Sequence, residues 1–161
     1  MSNGRFAAVT AVLGIAFLSR VAGQVVQRWA PVDWLPDFER WQGSGLWYPA
    51  LLGIQIAILA LFVLVAARMS HGLSLLGPRW IKPVFAVGAL YFAVMGIRLL
   101  IGILADADVL GDGSFASGNW FSTRIPPVFH LVLATTVMLI STYQRGLTAA
   151  SGYREAVGRT R

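Results

Sequence analysis

Four stretches of nearly unbroken apolar residues divide the chain, at about Phe6–Val26, Pro49–Met69, Pro83–Leu104 and Ile125–Tyr143. A hydrocarbon core of about 30 Å takes about 20 helical residues at 1.5 Å each, and each stretch has that length. Pro49, Pro83, Pro126 and Pro127 stand at the starts of these stretches, where a missing N–H is no loss to a helix. The pattern predicts an all-α integral membrane four-helix bundle, one four-span domain over residues 1–161, with residues 144–161 as a basic tail. The opening "RFAAVTAVLGIAFL" has the outline of a signal peptide. However, no small-residue cleavage motif follows and the apolar character resumes after Arg20, so a retained helix is expected.

The polar residues between the stretches give the direction of the spans. Arg5, Arg68, Arg79, Lys82, Arg145, Arg154, Arg159 and Arg161 fall on one side, opposed there only by Glu155. Asp33, Asp37, Glu39, Asp106, Asp108 and Asp112 fall on the other, with Arg28, Arg40 and Arg124. The positive-inside rule then places both termini in the cytoplasm and the two longer loops outside. Trp29, Trp34, Trp41, Trp47 and Trp120 collect near the outer boundary, with Trp80 and Tyr143 at the inner one. Tryptophan favours that boundary because its ring is apolar and its N–H seeks water.

In the first outer loop, "DWLPDFERWQGSG", Trp34, Phe38 and Trp41 recur at i, i+4, i+7 after a proline. This predicts a short interfacial helix with its aromatics turned to the membrane, ended by Gly43 and Gly45. The second outer loop, "ADADVLGDGSFASGNWFSTR", is rich in glycine and serine and reads as irregular, with Trp120 as an anchor.

Inside the spans the polar positions are few and fall at one depth. Arg20 and Arg98 lie about six residues short of the outer ends of the first and third spans. Gln55 and His130 lie about six and five residues into the second and fourth. All four are therefore about 8–9 Å below the outer boundary. Arg20, Gln24 and Gln27 share one helical face, as do Tyr91, Met95, Arg98 and Gly102. An arginine at mid-span costs about 2.5–3.5 kcal/mol by insertion scales, so something must offset it. Three arrangements would: snorkelling to headgroups, pairing with loop acids such as Asp33, Asp37 or Asp106, or holding an anionic or carbonyl-bearing ligand. The ligand arrangement predicts an outward-facing polar pocket formed by Arg20, Gln24, Gln55, Tyr91, Arg98 and His130.

Composition sharpens this picture. The 161 residues are 57% hydrophobic and 12% charged, about half the charged fraction of a soluble domain. The net charge of +6 sits at the edges of apolar runs, as topology signals do, which argues against a nucleic-acid partner. With no cysteine, disulfides, thiolate metal sites and covalently attached c-type haem are excluded. Arginine far outnumbers lysine, which we read as the mark of a GC-rich bacterial genome and hence a bacterial cytoplasmic membrane.

Other chemistry is thinly represented. His130 is suited to haem or pigment ligation or to proton relay, and His71 lies a membrane thickness away from it. Asp106, Asp108 and Asp112 resemble a calcium loop only faintly. Leu110 falls where an oxygen ligand is needed and no closing glutamate follows. Ser122, His130 and an outer aspartate form no distinctive catalytic spacing, and no metal site or reaction is expected. Gly14, Gly53, Ala57, Gly88, Ala89, Gly96 and Gly102 permit close helix contact. The expected function is a non-catalytic accessory or structural subunit of a membrane complex. Membrane lipids and other subunits, or a second copy, would be its partners, and Trp34, Phe38, Trp41, Trp47 and Trp120 its contact surface. The alternatives are a binder of a quinone, lipid or carboxylate, and a haem or pigment protein built on His130.

Overall fold

Each apolar stretch forms a helix. The computed structural model describes residues 2–41, 46–106 and 125–159; the second long loop, with Asp108, Asp112, Trp120 and Ser122, lies outside them, as do Gly43 and Gly45. Helix α1 covers Asn3–Trp29, the one-turn helix α2 covers Phe38–Trp41, and α3 covers Tyr48–Ser70. A 3-10 turn at Pro78–Trp80 leads into α4, Ile81–Asp106, and α5 covers Ile125–Arg159. No strand occurs among the described residues. Four of the helices are long and apolar enough to span a membrane: Asn3–Trp29, Tyr48–Ser70, Pro78–Leu104 and Ile125–Ser151.

The helices pack as two pairs, α3 along α1 and α4 along α5, and α1 joins the pairs by also packing on α5. Glycines set how closely they approach. A Cβ on Gly14 would stand 3.2 Å from Phe62 Cβ of α3. One on Gly88 would meet the Val137 and Met138 side chains of α5 at 3.0 Å. Small residues at crossings are how membrane helices gain contact when lipid offers the same apolar surroundings as a neighbouring helix. Gly53 and Gly96, by contrast, face open space.

Two apolar clusters hold α1, α3 and α5 together. Phe17, Val21 and Phe62 form one, flanked by Phe129, Val132 and Leu133. Phe6, Val65, Met69 and Tyr143 form the other, near the α3–α4 hairpin. That hairpin is tied to α5 by polar contacts. The Tyr143 hydroxyl donates to the Leu73 carbonyl at 3.1 Å. Gln144 Oε1 accepts from the Leu75 and Leu76 amides at 2.9 and 3.3 Å, and its Nε2 donates to Ser74 Oγ at 3.0 Å. The turn itself needs Gly72, whose φ is +70°, with Asn3 Nδ2 2.8 Å from where a Cβ would stand. The fourth helix does not end at Tyr143: its backbone stays helical through Arg159, so the basic tail continues the helix.

Candidate functional site

The polar positions of the spans are turned into the protein. Arg20 and Arg98 are 7% and 5% exposed, and Gln24 and Gln55 are fully or almost fully buried. Arg20, Gln24 and Gln27 follow from one stripe of α1, three and four residues apart, that faces the rest of the bundle.

The partners of this stripe are backbone carbonyls of the segment that follows α1. Arg20 Nη2 and Gln24 Nε2 both donate to the Trp41 carbonyl, at 3.1 and 3.0 Å. That carbonyl ends α2, and two side chains from α1 satisfy it. The Gln27 amide spreads over the Val32, Leu35 and Pro36 carbonyls at 3.3, 2.9 and 2.9 Å, while its oxygen accepts from the Val32 amide at 2.8 Å. The Trp41 indole N–H closes the turn on the Pro36 carbonyl at 2.8 Å. Its ring lies on Gly23, where a Cβ would stand 2.8 Å from the ring edge. Of the aromatics expected to turn to the membrane, Trp41 is instead packed inside the chain, and Phe38 sits edge-on to Tyr48 at 5.0 Å. Trp34 precedes α2 and is 80% exposed, and Trp47 is 76% exposed.

Gln24 is the hub between α1 and α3. Its Oε1 accepts from Gln55 Nε2 at 2.7 Å and from Arg20 Nη1 at 3.4 Å. The Arg20 guanidinium also stacks toward the Phe129 ring of α5, 5.5 Å from its centroid. Buried in the same region, Arg20 Nε and Gln55 Oε1 have no hydrogen-bond partner among the described residues.

On the other side of the bundle, α4 turns Tyr91, Met95, Arg98 and Gly102 inward. The Tyr91 hydroxyl and His130 Nδ1 share a hydrogen bond of 2.5 Å, with the rings edge to face. The charges of both Arg20 and Arg98 act on His130, and that of Arg98 also acts on Tyr91. Of the six residues expected to line a pocket, hydrogen bonds therefore join five, in two groups. Arg20, Gln24 and Gln55 form one hydrogen-bonded group with the α2 end; Tyr91 and His130 form a second, with Arg98 close by. His71, the residue capping α3, is exposed at the opposite end of the bundle. Among the described residues no cluster of three acidic, histidine or cysteine side chains could hold a metal ion.

A separate cavity of about 590 Å³ opens where α1 ends and α3 begins, lined by Gln27, Arg28, Phe38, Glu39, Leu46, Trp47 and Tyr48. Of these, the sequence singled out Gln27 for its helical face, Arg28 and Glu39 as outer charges, and Phe38 and Trp47 as outer aromatics, while Leu46 and Tyr48 went unremarked. Comparison of the chain with protein-family models, with curated proteins and with solved structures finds no match.

Proposed function

We propose that this chain is a small non-catalytic membrane protein that serves as an accessory or structural subunit of a membrane protein complex. It would lie in a bacterial cytoplasmic membrane with both termini inside. One observation carries this reading: the polar side chains of α1 are used to brace the chain's own first loop. Arg20, Gln24 and Gln27 commit their donors to carbonyls of residues 32–41. A braced loop presents Trp34 as a fixed aromatic anchor, and Trp47 at the start of α3 is exposed as a second; such residues dominate interface energies. Membrane lipids and other membrane subunits, or a second copy of the chain, are its partners in this reading.

Gentle solubilisation of the native membrane with the tagged chain, followed by mass analysis, tests it. Stoichiometric companions should be recovered, or a defined homo-oligomer, and replacing Trp34 and Trp47 together by alanine should release them. Recovery of a lone monomer from the unaltered protein would refute the reading.

The Tyr91–His130 pair favours a second reading, a binder of an amphipathic quinone, lipid or carboxylate. Its polar head would take the buried groups of Arg20, Gln55, Arg98 and His130. Because Nδ1 of His130 already meets Tyr91, its Nε2 is the nitrogen left for a head group, or for haem or pigment. A colourless preparation removes the haem and pigment version.

A further inference from the structure

The cavity at the junction of α1, α2 and α3 contains a pair of opposite charges, Arg28 and Glu39, that none of the readings above uses. We propose that it is a binding site for the headgroup of a zwitterionic phospholipid, of the phosphoethanolamine type. The site lies at the ends of two membrane-length helices, Asn3–Trp29 and Tyr48–Ser70, which is the depth of a lipid headgroup.

Its lining combines a cation, a hydroxyl donor, a carboxylate and aromatic rings. Arg28, in the last turn of α1, is exposed and contributes a guanidinium suited to a phosphate. Tyr48, the first residue of α3, is 6% exposed, and its hydroxyl is buried without a hydrogen-bond partner among the described residues. A buried hydroxyl left unpaired costs about 1–3 kcal/mol, and Tyr48 lines the cavity, so an acceptor bound there that reached the hydroxyl would relieve the cost. Arg28 and Tyr48 line the same cavity.

Opposite in character are Glu39 and the rings. Glu39, in α2, is exposed and lines the same opening. Phe38 and Trp29 both stand edge-on to the Tyr48 ring, at 5.0 and 5.6 Å, and Trp47 completes an aromatic rim. A carboxylate beside aromatic faces is the chemistry that holds an ammonium. A ligand with a phosphate and an ammonium a few bonds apart satisfies both charges at once, whereas an anionic lipid meets Glu39 with the wrong sign. The volume of about 590 Å³ admits a headgroup with its glycerol, and the acyl chains are left to run down the apolar outer face of α3. The site shares Trp47 with the accessory-subunit reading, but its charged residues, Arg28 and Glu39, take no part in that reading, and its lining includes none of Arg20, Gln24, Gln55, Tyr91, Arg98 or His130.

Native mass spectrometry of the full chain, with defined lipid added to the detergent, tests the assignment. Phosphatidylethanolamine should be retained as one tight equivalent, in preference to phosphatidylglycerol and diacylglycerol. Arg28→Ala should lower that retention about tenfold, the scale of one charge-assisted hydrogen bond. Glu39→Gln should instead erase the preference over phosphatidylglycerol, and Tyr48→Phe should weaken retention while leaving the fold intact. Arg28 and Glu39 are exposed, so both variants keep the bundle. Equal retention of all three lipids by the unaltered chain would overturn the proposal. So would unchanged retention in both charge variants. Displacement by water-soluble glycerophosphoethanolamine at the same concentration as the lipid would place the specificity in a soluble ligand and overturn the lipid assignment.

Discussion

Gln24→Leu isolates the hub of the buried polar group, and the structure gives its cost. The substitution removes three hydrogen bonds: to the Trp41 carbonyl at 3.0 Å, from Gln55 at 2.7 Å and from Arg20 at 3.4 Å. The Trp41 carbonyl keeps Arg20 as a donor, so it is not orphaned. Gln55 Nε2 is orphaned, in a side chain that is 2% exposed and whose Oε1 already lacks a partner among the described residues. Interhelical hydrogen bonds in membranes are worth about 0.6 kcal/mol each on average, and one orphaned buried donor costs about 1–3 kcal/mol. The sum is about 3–5 kcal/mol of destabilisation. Gln55→Leu alone should be nearly neutral, because it removes an unmet acceptor together with the bond to Gln24. In the Gln24→Leu background, Gln55→Leu should restore about 1–3 kcal/mol by removing the orphan. Reversible unfolding of the two single variants and the double variant in mixed micelles measures the cycle. Simple additivity, or further loss in the double variant, would refute the hub.

Four other perturbations probe the frame. Gly23→Ala should cost about 1–3 kcal/mol, since the new Cβ meets the Trp41 ring at 2.8 Å, and a red shift of tryptophan emission would report the displaced ring. Gly88→Leu should loosen α4 from α5 by a similar amount, seen as lost disulfide cross-linking between cysteines introduced on those two helices. Gly72→Ala should cost about 1–2 kcal/mol at a φ of +70°, read by the midpoint of thermal unfolding in detergent. Gln144→Leu frees the Leu75 and Leu76 amides and Ser74, and should speed proteolysis of the α3–α4 hairpin with little change at the α2 end.

The spans were readable because hydropathy alone decides them: the four apolar stretches and the four membrane-length helices agree to within a few residues at most ends. The exception is the end of the fourth, where apolar character stops at Tyr143 and the helix does not. A hydropathy pattern marks where lipid contact ends, whereas backbone hydrogen bonding decides where a helix ends. That Arg20, Gln24 and Gln27 face inward was readable from their spacing. Their partners were not, because a backbone carbonyl has no residue identity to announce it. Gly23 went unremarked for a related reason: its role depends on Trp41, eighteen positions on, folding back over it. The small residues show the same limit. Gly14 and Gly88 lie at helix crossings while Gly53 and Gly96 do not, and helix rotation, which sorts them, is weakly encoded in a chain apolar on most sides.

The brace on α1 also bears on the order of assembly. Its bonds to the following segment span only 5 to 21 positions, so this corner is complete in principle once residue 41 has left the ribosome. Gln55, 31 positions beyond Gln24, then recruits the second crossing to a template that already exists. The last helix packs on α1 and α4, so damage around Gln24 should be felt during insertion as well as in the finished molecule.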